Sequence, residues 1–172
     1  MTPLHRAAER GALAPAKALL RCAREAGQLT QVLGALDACG RPALHWACRC
    51  GHTDLAMVLH AAAVELGPCC AAGQPAQRGA MEPAATAAVN SLAFENRFGE
   101  TALHEACRFG RLGAVHWLLD AAGTEAAAAR LAAVRSRFGE RALDCLVLPQ
   151  SGAAADTEDR ALQRLITRLT VK

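Results

Sequence analysis

Tyrosine is absent from the 172 residues, and phenylalanine and tryptophan bring the aromatic fraction to only 3%. Such a poverty of rings excludes a platform that stacks the bases of single-stranded nucleic acid. Charge of one sign is missing as well. With 19 basic and 16 acidic residues the chain carries +3, which is no footprint for a polyanion. No apolar run reaches the ~20 residues of a membrane span. The opening Met1-Thr2-Pro3-Leu4-His5-Arg6 holds neither a secretory apolar core nor a cleavage site, and Glu9 and Glu25 argue against a transit peptide. An intracellular chain is expected, cytoplasmic with the nucleus left open. Catalytic signatures are lacking too: no G-x-S-x-G elbow, no G-x-x-x-x-G-K-[ST] loop and no H-E-x-x-H. His104-Glu105 is followed at the would-be second histidine by Arg108. The expectation is a non-enzyme with no cofactor and no catalytic residues.

What the chain does contain is a repeat. Gly99 to Asp120 reads G-E-T-A-L-H-E-A-C-R-F-G-R-L-G-A-V-H-W-L-L-D: a glycine turn, a short apolar-faced helix ending at Gly110, and a second helix carrying Leu112, Val115, Leu118 and Leu119. Two helices this short cannot bury their faces against one another alone, so the unit requires copies on either side. Gly40 to Leu59 is the best copy. Thr2-Pro3-Leu4-His5-Arg6-Ala7-Ala8 opens an earlier one, and Gly139-Glu140-Arg141-Ala142-Leu143-Asp144 begins a worn fourth. The histidine position falls at 5, 45 and 104, with Asp144 in fourth place, at intervals of 40, 59 and 40 residues.

The T-P-L-H-x-A signature, the Ala-Ala or Ala-Cys pair, the closing glycine and the aliphatic second helix resemble those of ankyrin repeats, whose usual period is about 33 residues. The resemblance implies an all-α solenoid with short hairpin-like turns and a protein-binding, non-catalytic role. Departures are Pro42-Ala43 in place of Thr-Pro, Ala102 in place of Pro, and the loss of histidine and closing glycine in the fourth unit. One domain over 1–172 is expected, with units at about 2–38, 39–66, 96–135 and 136–172 and an inserted loop at about 67–86. The extra length of the regular intervals is expected as short helices, around Leu29, Val32, Leu33 and Leu36 and over Ala127 to Val134. A degenerate first helix from Arg141 to Leu148 and a helical C-terminal cap after Asp156 complete the expected array. The first unit has no hairpin or polar cap before it, so either the chain is part of a longer array or this face docks on something.

Eight cysteines would suggest disulfides in a small secreted protein, but Cys48 and Cys107 share one register with Ala8, as in a small buried site, and reduced thiols are expected. His45, Cys48, Cys50 and His52 hold the donor types of tetrahedral zinc. Cys48 belongs to the core register while Cys50 and His52 lie around the turn, so convergence at about 2.0–2.3 Å, and hence a metal site, is not expected. Vicinal Cys69-Cys70 sits in the inserted loop. A redox- or metal-responsive Cys/His module is the rival reading, and a passive segment of a larger protein is a third. The resemblance implies that His5, His45 and His104 tie neighbouring hairpins together, with Asp144 making a looser joint because an ionised carboxylate cannot donate.

In ankyrin-like arrays the hairpin tips and first-helix ends line a concave face. Carried over, that face comprises Glu9, Arg10, Arg41, Arg49, Cys50, Arg97, Phe98, Glu100, Arg108, Phe109, Arg137, Phe138 and Glu140. Three Arg-Phe pairs recur on it. Arginine and phenylalanine favour interfaces through planar hydrogen bonding and rigid apolar area. Two readings stay open: each phenylalanine plugs its own hairpin, or together they form a groove for a protein segment with apolar and acidic residues, bound by a monomer.

Overall fold

The computed structural model describes residues 1–66 and 91–146. The inserted loop, Cys69-Cys70 and the expected C-terminal cap lie outside the described residues. Within them the chain forms helices α1 (Pro3–Arg10), α2 (Leu13–Glu25), α3 (Leu29–Leu33), α4 (Ala43–Cys50), α5 (Thr53–Glu65), α6 (Ala102–Arg108), α7 (Leu112–Ala121) and α8 (Glu125–Ala133), followed by a 3-10 turn, Ala142–Cys145. First helices α1, α4 and α6 stack in series and end on the 3-10 turn. Second helices α2, α5 and α7 form the parallel row behind them. The result is an all-α solenoid.

Each α1-type helix is short because a glycine stops it. Gly11 and Gly51 take up left-handed φ of 66° and 82° as C-caps, a conformation that costs a side-chain-bearing residue about 1–2 kcal/mol. The core follows the repeat register. Leu4, Leu44 and Leu103 are buried at one position, and Ala8, Cys48 and Cys107 at another with no exposure at all. Small side chains at the second position let successive first helices approach closely. Burial pushes the Cys107 thiol up to about 12 and Cys48 higher, so both act as small apolar groups rather than thiolates. The described cysteines are all unpaired.

Helices α3 and α8 occupy the extra length of the two long intervals. α3 is shorter than its apolar spacing predicts: it stops at Leu33, Gly34 caps it, and Leu36 is left exposed. The expected fourth first helix, Arg141 to Leu148, is also corrected: among its described residues, up to position 146, the chain forms a 3-10 turn, Ala142–Cys145. Asp144 folds back onto Arg141, accepting from its amide at 3.2 Å and from its guanidinium Nε at 3.1 Å, and so closes a three-residue loop locally. A carboxylate spent in that way has no donor to offer the next unit.

Candidate functional site

Three hairpin tips project from the first-helix side, each built by one side chain. The Asp37 carboxylate accepts from the amides of Cys39 (2.8 Å) and Arg41 (2.9 Å). Asn96 Oδ1 does the same for Phe98 (2.8 Å) and Glu100 (3.0 Å), and Ser136 Oγ accepts from Phe138 at 3.2 Å. Gly40, Gly99 and Gly139 supply the positive φ that closes each turn. The tips join one another through backbone: the Arg97 amide donates to Cys39 O at 3.0 Å and the Arg137 amide to Phe98 O at 2.9 Å.

Below the tips the histidines pin each first helix to the following hairpin. Thr2 N–H donates to His5 Nδ1 at 3.2 Å and Thr101 N–H to His104 Nδ1 at 3.1 Å. An amide can only donate, so Nδ1 is the acceptor and the ring proton sits on Nε2. That proton is given to Arg41 O at 3.0 Å by His5 and to Glu140 O at 3.3 Å by His104. His45 makes the same outward bond, to Glu100 O at 3.3 Å, but Pro42 at its cap has neither amide hydrogen nor hydroxyl, and Nδ1 is left buried without a partner. Burial lowers the His45 pKa to about 4, against the pull of the Glu100 and Phe94 carbonyls. Burial lowers His104 as well.

A second ladder was not read from the sequence. His52 Nε2 lies 3.3 Å from Glu9 O, and Arg111 Nε donates to Arg49 O at 3.2 Å, so the residues after Gly51 and Gly110 satisfy terminal carbonyls of the preceding unit's first helix. Gly11 leaves room for it: a Cβ there would stand 2.6 Å from the His52 ring. His45 and His52 are thus engaged with carbonyls of different units, and the four Cys/His residues are not brought together. No group of three or more potential metal-ligating side chains occurs among the described residues.

The first-helix side carries a charge network. Arg41 binds Asp37 through Nε at 3.0 Å and Glu105 at 3.4 Å, and Arg49 reaches the other Glu105 oxygen at 3.4 Å. Trp46 donates its indole N–H to Asp37 at 3.0 Å while Arg41 lies over its ring at 4.7 Å. Arg49 also covers the Phe109 ring at 4.1 Å. Burial opposes ionisation of Asp37, yet hydrogen bonds from the Arg41 amide, Trp46, the Arg41 guanidinium and the Cys39 amide hold its carboxyl at about 2. Arg108 bridges Glu100 at 2.5 Å and Glu140 at 3.6 Å.

Several of the expected contact residues are therefore already engaged within the protein. Glu100 is buried, held by Asn96 Nδ2 at 3.0 Å and by Arg108. Arg41, Arg49 and Arg108 are committed to internal carboxylates, and Arg41 is nearly buried. For Arg41 and Arg49 the carboxylate is Glu105, which occupies the place of Arg6 and Trp46 in the repeat and entered the sequence reading only through the incomplete H-E-x-x-H. Its burial follows from two arginines converging on it from the preceding unit. Arg10, Arg97, Phe98, Phe109, Arg137, Phe138 and Glu140 do stand on the surface. Phe98 is 42% exposed, Phe109 39% and Phe138 70%, so Phe98 and Phe138 are not plugs beneath their hairpins.

A family model described as ankyrin repeats, in three copies, matches residues 4–130. No curated protein sequence matches the chain. Among solved structures, a chain in the crystal structure of the yeast ribosomal protein Rps3 in complex with its chaperone Yar1 has the same fold, with a TM-score of 0.60 at 18% identity, over 96% of this chain and 87% of that one. None of the helices among the described residues is long and apolar enough to cross a membrane.

Proposed function

The chain belongs to the ankyrin-repeat family, whose repeats are protein-interaction modules, and we propose that it binds a segment of a partner protein along the hairpin tips and first-helix ends. The reading places this role inside the cell, without catalysis. The observation that carries it is the position of Phe98, Phe109 and Phe138. The first-helix leucines Leu4, Leu44 and Leu103 are buried, yet these three rings, at the hairpin tips and the end of α6, stand exposed beside arginines. Rigid rings next to guanidinium groups are the residue types that concentrate binding energy at interfaces.

The paired arginines have a different part in this reading. Held by Glu105, Glu100 and Asp37, they form a fixed floor against which Phe109 is packed, and pre-organised side chains lose less entropy on binding. A photo-crosslinking phenylalanine analogue placed at Phe98 or Phe138 should capture a protein in cells, whereas one at Met57, exposed on α5, should not. The Phe98→Ala, Phe109→Ala, Phe138→Ala variant should keep its helical circular dichroism and lose the same partner. Equal labelling from Met57, or capture unaffected by the triple substitution, refutes this surface.

A further inference from the structure

The tips differ from the rest of the face in how their charge is used. Arg41, Arg49 and Arg108 are neutralised by carboxylates, whereas Arg97 and Arg137 are exposed and form no ion pair among the described residues. Each stands next to an exposed phenylalanine. The exposed acids nearest in sequence are Glu95 and Glu140, and Glu140 faces Arg108. The two Arg-Phe pairs are also presented alike. The Arg97 stem crosses Gly40, where a Cβ would stand 2.9 Å from its Cγ, and Arg137 crosses Gly99, where a Cβ would stand 3.1 Å from its amide nitrogen. The bond from the Arg137 amide to Phe98 O fixes one tip on the other.

Elementary dimensions give the spacing of these pairs. A hairpin occupies two strand widths of ~4.8 Å, and packed helices lie ~8–10 Å apart, so equivalent tip residues repeat every ~9–10 Å. A polyproline-II segment rises ~3.1 Å per residue with three residues per turn and presents like-facing side chains every ~9.3 Å. An extended β-strand offers ~6.8 or ~13.6 Å instead and falls out of step.

Resting on the reading above, we infer that the tip ridge recognises an acidic polyproline-II segment, with carboxylates three residues apart meeting Arg97 and Arg137 and proline or aliphatic residues between them packing on Phe98 and Phe138. Carboxylates match the planar guanidinium fork. Exposed aromatic rings favour this backbone because it is already extended and costs little entropy to hold.

The test is fluorescence anisotropy with a labelled peptide of repeated Asp-Leu-Pro triplets against an isomer of equal composition in which the acids are clustered. The phased peptide should bind at least about tenfold more tightly. Arg97→Glu with Arg137→Glu should abolish that binding and create affinity for a Lys-Leu-Pro peptide. Phe98→Ser with Phe138→Ser should weaken it while circular dichroism is unchanged. Equal binding of the two isomers, or indifference to charge reversal, overturns the inference. So does tighter binding of a helical peptide with acids seven residues apart, a spacing of ~10.5 Å. If no peptide binds while crosslinking at Phe98 persists, this inference fails and the module reading stands; if crosslinking fails as well, both fall.

Discussion

Pro42→Thr should make this protein more stable, against the usual direction of a substitution at a repeat cap. The backbone at Pro42 has φ −74° and ψ 167°, close to Thr2 at −91° and 169° and Thr101 at −88° and 171°, so threonine fits without rearrangement. It would bring the amide hydrogen and hydroxyl that His45 Nδ1 lacks. In the first and third units those groups lie 2.8–3.2 Å from the ring nitrogen. An unsatisfied buried polar group costs about 1–3 kcal/mol. Against that, replacing proline frees the unfolded chain and costs about 0.4–1 kcal/mol. The net expectation is about 1 kcal/mol of stabilisation, seen as a higher urea midpoint at unchanged m-value and a rise in Tm of about 2–4 °C. Pro42→Val is the control: it restores the amide hydrogen and nearly the threonine shape but no hydroxyl, and should gain less. Nitrogen-15 shifts of the His45 ring should move toward those of His5 and His104. If neither Pro42→Thr nor Pro42→Val is more stable than the parent, the assignment of Nδ1 as a costly orphan acceptor is refuted.

Two other perturbations test the same architecture. Because the folded His45 pKa lies near 4 and the unfolded value near 6.5, the unfolded state takes up the proton first as pH falls, so stability is full above 6.5 and declines until about 4. The loss from this residue is on the order of 3 kcal/mol, with His104 and His60 shifted in the same direction. Urea titrations across that range check it, and a His45→Gln protein should show a shallower decline. Glu105→Ala should cost about 3 kcal/mol, since it leaves Arg49 without a carboxylate and Arg41 with Asp37 alone on a largely buried face. A double-mutant cycle with Arg49→Ala should recover part of the loss, and strict additivity would show that the network is not coupled.

Much of the fold was legible in the chain itself. The A-L-H motif, its in-phase recurrence, the closing glycines and the aliphatic second helices identified the repeat because each is a local backbone or packing requirement that any copy must meet. The shared register of Ala8, Cys48 and Cys107 marked a buried small site for the same reason: close approach of stacked helices leaves room for nothing larger. The Leu29 to Leu36 spacing located an extra helix but not its end, because Gly34 terminates it before Leu36 can join.

The surface was less legible. Arginine, glutamate and phenylalanine at turn positions carry the same local signal whether they face solvent, a partner or one another. Only the stacked arrangement decided that Glu105 draws in Arg41 and Arg49, that Glu100 is sealed by Arg108 and Asn96, and that Phe98 and Phe138 remain exposed. The second ladder, from His52 to Glu9 O and from Arg111 to Arg49 O, joins residues more than 40 positions apart, and no spacing within one unit announces it. The sequence by itself determined the repeated unit, because helix caps and apolar periodicity act over a few residues. The tertiary structure alone decided which charges are paired and which are free, because pairing depends on the distance between units that the sequence holds far apart.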